Sequence, residues 1–217
     1  MITKQIRFLH TLALSENKFN PIDKSFMEDK NVDELINPYL KVLVLIGMKL
    51  DWSQIDVIAP ALTYVEELHL CRNNCNKISS EYEISKDVWR HLKYINLEEN
   101  NIDDWEEIQG FRKLNKMKKL GLGVNQIKHV HYRPGFPELM TIDLYENLID
   151  SWEAIDQLNE YKELRRLRIS DNPITSTEKK DKVRQQILAR IQYLQYLGGS
   201  KILEREKIDC EFYYIKQ

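Results

Sequence analysis

The chain has 217 residues, 42% hydrophobic and 30% charged, with a formal net charge of −2. That balance suits a folded protein with a solvated outer face and gives no electrostatic reason to expect nucleic acid. The start Met-Ile-Thr-Lys-Gln-Ile lacks the apolar core of a secretion signal, no stretch is long and apolar enough to span a bilayer, and three cysteines do not make a disulfide framework. An intracellular protein is expected.

The first element in chain order is Leu9-x-x-Leu12-x-Leu14-x-x-Asn17-x-Phe19. The same pattern, Leu-x-x-Leu-x-Leu-x-x-Asn-x-Ile, returns from Leu40, Val65, Leu92, Met117, Leu139 and Leu164, at spacings of 31, 25, 27, 25, 22 and 25 residues. No single unit of this kind can bury its own apolar face, so the copies must stack. The pattern predicts an α/β fold, a leucine-rich-repeat solenoid shaped as a horseshoe, with a parallel sheet on its concave side and helices on its convex side. Seven copies fill 1–174, and 175–217 forms a cap continuous with the same domain.

In each copy the ninth residue follows the strand at a sharp turn, where an amide can satisfy backbone groups that the turn leaves buried. Asn17, Asn73, Asn100, Asn125, Asn147 and Asn172 occupy that place, and Met48 stands there in the second copy. An interrupted ladder and a looser or water-filled turn are expected at Met48. Cys75 holds an apolar eleventh position and should be buried, and Cys71 should be partly exposed. A Cys-x-x-x-Cys pair without a nearby His is not a zinc signal.

Three convex segments share a second motif: Leu50-Asp-Trp52-Ser-Gln-Ile55, Ile102-Asp-Asp-Trp105-Glu-Glu-Ile108 and Ile149-Asp-Ser-Trp152-Glu-Ala-Ile155. Each predicts a helix start, with an acid or Ser before the Trp as cap and Trp and Ile on one packing face. The long spacing between Phe19 and Leu40 predicts an inserted helix or loop. The shortest repeat holds His129, His131, Pro134, Gly135 and Pro137, which predict an irregular crossing. The two histidines read as surface or turn residues, with no third metal ligand in sequence nearby.

After Ile174 a polar start leads into a helical run with Val183, Ile187, Leu188 and Ile191 on one face. Leu194, Leu197 and Ile202 predict a short strand-like ending, and Phe212, Tyr213 and Tyr214 a final helix. Such a cap would cover the open last coil. Residues 175–217 carry nine Lys/Arg against six Asp/Glu, most simply a solvated helix face.

The phosphate-binding Gly loop, the Gly-x-Ser-x-Gly elbow and His-Glu-x-x-His are all missing. Gly121 and Gly123 fall within a repeat strand, where their smallness should open the concave surface. Acid pairs such as Glu98 and Glu99 imply no enclosed pocket. Neither an enzyme nor a cofactor is expected. The binding surface should instead be the concave face, whose third column reads Thr11, Val42, Glu67, Tyr94, Lys119, Thr141, Arg166 and whose fifth reads Ala13, Val44, His69, Asn96, Gly121, Asp143, Arg168. Val42, Val44 and Ile46 make an apolar row, a partner patch or the seat of an intramolecular lid. Candidate partner-binding residues are Val42, Val44, Glu67, His69, Tyr94, Asn96, Lys119, Asp143, Tyr145, Arg166 and Arg168.

The stretches VEELHLCRNN at 65–74, NIDDWEEI at 101–108, LIDSWEAIDQLNEYKELRRLRISDNPI at 148–174 and ILARIQYLQYLGGSKILEREKIDCEFYYIK at 187–216 carry a resemblance to the tubulin-folding cofactor E proteins and their cofactor E-like relatives. The resemblance implies a cytoplasmic, cytoskeleton-associated monomer. It would bind α-tubulin and other tubulin cofactors and take part in folding, assembly or dissociation of the α/β-tubulin heterodimer. Cofactor E also has a glycine-rich CAP-Gly domain and a ubiquitin-like domain; these 217 residues contain neither, so recognition of the acidic tubulin tail is not carried over. The runner-up is a regulatory subunit docking on an enzyme such as a protein phosphatase. A splicing-factor-like adaptor stands third, disfavoured by the lack of a basic stripe.

Overall fold

A computed structural model of the protein describes residues 8–17, 25, 31–78 and 87–215. Phe19, the acidic run of the first insert, and the side chains of Tyr213 and Tyr214 lie outside the described set.

Among the described residues the chain winds through nine short strands: β1 (Thr11–Ala13), β2 (Val42–Val44), β3 (Glu67–His69), β4 (Tyr94–Asn96), β5 (Lys119–Gly121), β6 (Thr141–Asp143), β7 (Arg166–Arg168), β8 (Tyr196–Leu197) and β9 (Ser200–Lys201). They form one sheet in sequence order. Neighbours from β1 to β8 pair in parallel, and β9 folds back antiparallel on β8. This is the horseshoe the repeat predicts. Each of the first seven strands turns its middle residue, from Leu12 to Leu167, toward the core, because successive side chains on a strand point to opposite faces.

A coil this tight must reverse immediately after the strand. The eighth residue of every copy does so in the left-handed region: Glu16, Gly47, Arg72, Glu99, Val124, Glu146 and Asp171 have φ between 50° and 68°. For the β-branched Val124 this conformation is strained. The following Asn then ties the turn to its neighbours. Asn125 lies at 3.0 Å from the carbonyls of Leu97, Leu122 and Gly123 through Nδ2, and its Oδ1 accepts from the backbone N–H of Asn100 and Ile102, also at 3.0 Å. Asn73 and Asn172 likewise reach the preceding coil and their own turn. The amide has two hydrogens for three carbonyls, so the bonds are shared.

The expectation of a looser turn at Met48 is corrected by this geometry. The backbone N–H groups of Met48 and Leu50 both donate to Asn73 Oδ1 at 3.0 Å. From the second copy to the sixth, each turn is served by the Asn of the coil that follows it. What Met48 fails to supply is the reach back to the first coil, where Asn17 bonds only the carbonyls of its own turn, Leu14 and Ser15, among the described residues.

The Trp motifs start the convex elements. Asp51 caps the helix Trp52–Ile58 in a reciprocal capping box with Gln54, and Asp104 accepts from the N–H of Glu106 ahead of Trp105–Lys113. That second element is a 3₁₀ helix. Ser151 precedes the helix Trp152–Leu158 without a side-chain cap bond, contrary to expectation. Trp52 and Trp105 are buried, and Trp52 meets Phe111 edge-on at 5.2 Å. Trp152 is half-buried, with the Arg190 guanidinium 5.3 Å from its ring. The 122–140 crossing is irregular, as its prolines predict, and the described part of the first insert holds a short helix, Val32–Leu35. Cys75 is buried.

The end of the chain continues the same core. The helix Lys180–Arg190 buries Val183, Ile187 and Leu188. Arg184 grips Glu206 on the final helix, Glu204–Ile215, at 2.6 and 3.2 Å, and Arg190 holds Asp156 at 2.7 and 2.8 Å. Among the described residues, no helix is long and apolar enough to cross a membrane.

Two outcomes follow from these contacts. Asn125→Ala leaves buried carbonyls and N–H groups of two coils without partners, and chemical denaturation should show a loss of about 3 kcal/mol. Asp56, on the Trp52 helix, is pushed by burial to about 6. A carboxyl whose folded pKa lies above its unfolded value favours the protonated fold, so stability falls as pH rises from about 4 through 6. Asp56→Asn should raise the melting midpoint at pH 7.5 and leave it nearly unchanged at pH 4.

Candidate functional site

The parallel register turns the repeat columns into physical neighbours. Thr11, Val42, Glu67, Tyr94, Lys119, Thr141 and Arg166 pair in succession, as do Ala13, Val44, His69, Asn96, Gly121, Asp143 and Arg168. All of these flank the inward-facing middle residues, on the side of the sheet away from the core. Eleven candidate residues were proposed from the sequence; ten of them lie in these two columns, and Tyr145 follows β6 at the seventh position.

The columns begin apolar. Val42, Val44 and Ile46 are half-buried, and a cleft of ≈ 370 Å³ opens beside Val42 between Phe8, His10, Tyr39 and Glu67. In the middle, His69 lies 3.6 Å from Glu67 and meets the Tyr94 ring edge-on at 5.1 Å. Lys119 Nζ sits 3.9 Å above the same ring. Burial raises the Tyr94 phenol to about 12, keeping it protonated.

The last coils carry the densest polar contacts. Arg168 donates to Asp143 at 2.7 Å and lies 4.3 Å over the Tyr145 ring, and Arg166 lies 3.9 Å over Tyr196. The Tyr145 hydroxyl donates to the Glu98 carboxylate, which raises its pKa. Asp143 is raised by burial, which outweighs the opposing pull of a backbone N–H and Arg168. A second cleft of ≈ 370 Å³ lies among Lys119, Asp143, Arg166, Arg168 and Tyr196. Its walls offer guanidinium groups, an ammonium and aromatic faces to a partner, a set suited to carboxylates and planar groups.

The glycines do not open this surface as expected. Tyr145 lies directly across Gly123, closer than a Cβ there would permit, and an added Cβ at Gly121 would come within 2.8 Å of Asn96 Oδ1. Both glycines are buried beneath neighbours from adjacent coils. Gly123 lets Tyr145 cross one coil and reach Glu98 two coils away, while Gly121 makes room for the Asn96 side chain. Glu98, Gly123 and Tyr196 thus belong to the face, beyond the eleven candidate partner-binding residues. For Tyr196 the signal was present, since Leu194 and Leu197 repeat the first and fourth positions of a degenerate eighth copy.

Nucleophilic chemistry has little support on this face. Burial pushes the Cys71 thiol up to about 11 and Cys75 to about 12, so both remain protonated at neutral pH. His129 and His131 are exposed and stack on each other at 6.2 Å. Among the described residues no group of His, Cys, Asp and Glu is placed to hold a metal ion.

Residues 90–217 match the leucine-rich-repeat family model. The chain is 30% identical to a tubulin-folding cofactor E of Arabidopsis thaliana, over 99% of this chain and 41% of that protein. It is 28% identical to a human tubulin-specific chaperone cofactor E-like protein, over 99% of this chain and 50% of the relative. It therefore spans between two fifths and half the length of these relatives. Among solved structures, a Drosophila melanogaster SNF/U2A′ complex superposes with a TM-score of 0.58 at 19% identity, covering 68% of this chain and 80% of that one. A leucine-rich-repeat protein of Leptospira interrogans gives 0.56 at 20% identity, covering 98% and 49%. At such identities these two structures speak for the fold alone.

The packing around Gly123 yields a direct test. Gly123→Ala should displace the Tyr145 ring and cost about 1–3 kcal/mol. Tyr145→Ala in the same background should recover part of that loss, giving a coupling energy in a double-mutant cycle read by denaturation.

Proposed function

Because the chain belongs to the leucine-rich-repeat family, we propose that it is a non-catalytic tubulin-binding protein of the cofactor E type. It grips α-tubulin through the concave face and acts, with other tubulin cofactors, in folding, assembly or dissociation of the α/β-tubulin heterodimer in the cytoplasm, where it associates with the cytoskeleton. The observation that carries this reading is the extent of the likeness. Relatives named for tubulin chaperoning align with 99% of the chain, convex Trp segments and cap included, which a generic repeat match does not require.

The concave geometry supports the same reading. Arg and Tyr are the residue types that dominate interface energies, and here the guanidinium groups of Arg166 and Arg168 already rest on Tyr196 and Tyr145. Side chains held in place before contact lose less entropy when a partner arrives. Exposed arginines beside a cleft suit a protein surface that presents carboxylates.

Size-exclusion chromatography of the chain mixed with α/β-tubulin, with each subunit followed by immunoblot, tests the proposal. Co-elution with α-tubulin is the expected result, and separation of β-tubulin in the same run would assign dissociation. The Arg166→Glu, Arg168→Glu double variant, with its fold checked by circular dichroism, should bind at least about tenfold more weakly. An unshifted tubulin peak with the wild-type chain would overturn the proposal.

A further inference from the structure

The solenoid has two edges beside the concave face, one where the chain enters each strand and one where it turns away. The fold distributes charge unequally between them. On the turn side stand Glu98, Glu99, Asp103, Asp104, Glu146 and Asp171, with Arg72, Lys77 and Lys128 the cations beside them among the described residues. Among the described residues the leading edge instead carries Lys41, Arg90, Lys93, Lys116 and Lys118, with Glu66 set among them and Glu138 paired to Lys118 at 3.4 Å.

Lys41 and Lys93 are held in register by the backbone, and Arg90 and Lys116 precede Lys93 and Lys118 of the same ladder by three and two residues. The N–H of Glu66 donates to the Lys41 carbonyl, that of Lys93 to Glu66 and that of Lys118 to Lys93, each at 2.8 Å. The second residues of successive coils therefore stand side by side at the strand spacing of about 4.8 Å. Glu66 is shared between Lys93, which bonds it, and Lys41 at 3.6 Å. One carboxylate facing two ammonium groups leaves positive charge in excess.

A flat aromatic surface completes the strip. The Tyr64 and His91 rings stack with centroids 5.5 Å apart and planes 12° from parallel. Lys41 Nζ lies 5.3 Å and the Arg90 guanidinium 5.8 Å from the centre of the Tyr64 ring. The His91 imidazole reports the local field: partial burial lowers its pKa first, and Lys116, Arg90 and Lys41 lower it further, opposed only weakly by Glu66. Arg90 and Lys116 are exposed.

We propose that this leading edge is a second docking surface, and that its occupant is an extended acidic segment of a partner polypeptide laid across the coils from Lys41 to Lys116. The span of three coil steps is roughly 14 Å, about four residues of extended chain, so alternate carboxylates can meet successive cations while the backbone passes over the Tyr64–His91 stack. The complementarity is local. The chain as a whole is net negative, so a polyanion has no general reason to approach it, and attraction must come from this strip. The inference does not depend on what the concave face holds.

The test uses a fluorescein-labelled peptide of twelve glutamates and fluorescence anisotropy. The wild-type chain should bind it at low ionic strength and lose affinity as salt is raised. Arg90→Glu with Lys116→Glu should weaken binding at least tenfold. Lys77→Glu with Lys128→Glu, which makes the same change in net charge beyond the strand turns, should weaken it by less than threefold. Equal losses in the two double variants would reduce the effect to net charge and overturn the proposal. So would absence of binding at low salt, or a loss in Arg166→Glu, Arg168→Glu while Arg90→Glu, Lys116→Glu still binds normally. Thermal melts of each variant separate loss of the strip from loss of the fold.

Discussion

A chain that climbs through stacked coils must turn sharply after each strand, and the turn leaves carbonyl and N–H groups inside the protein with no helix or sheet to pair them. Here, from the third copy to the seventh, a buried Asn resolves that problem across two coils at once. Asn125 accepts from Asn100 and Ile102 of the preceding coil while donating to carbonyls of both. Stacking and turning are thereby one interaction, since neither coil can shift without leaving buried polar groups unpaired. Met48 shows how the ladder is directed: its own turn stays bonded through Asn73, and the missing amide is felt toward the first coil.

Everything on the concave face depends on that locked register. Residues about 25 apart in sequence stand beside one another, and their side chains pair across coils: Lys119 over Tyr94, Arg168 with Asp143. Gly123 matters for the same reason. In a stack whose backbone cannot move, the space for Tyr145 to lie across a neighbouring coil has to come from a missing side chain. The face is consequently a set of preformed contacts, with arginines already resting on aromatic rings, in place of a row of loose side chains.

The cap follows from the opposite end of the same problem. A stack of parallel strands leaves an open edge, which invites pairing with other chains. After β7 the chain adds one short parallel strand, turns through Gly198 and Gly199 at φ of 59° and 83°, and returns antiparallel. The two closing helices are joined by the Arg184–Glu206 pair and tied back to the convex layer through Arg190 and Asp156.

Periodicity was enough to specify the inward residues and the concave columns, because burial of one face and the period of the pattern are local properties that a repeat writes out in full. Convex helix starts were legible where an acid preceded Trp, and the cap where helical spacing replaced the repeat. Side-chain partnerships were not legible. That Tyr145 crosses Gly123 to Glu98, that Tyr196 extends the column beside Arg166, and that Lys41, Arg90 and Lys93 gather around a Tyr64–His91 stack are contacts between different coils. Spacing assigns a residue to a face; which neighbour it touches is chosen by rotamer and by the room left once the backbones have stacked, and that choice exists only in the folded molecule.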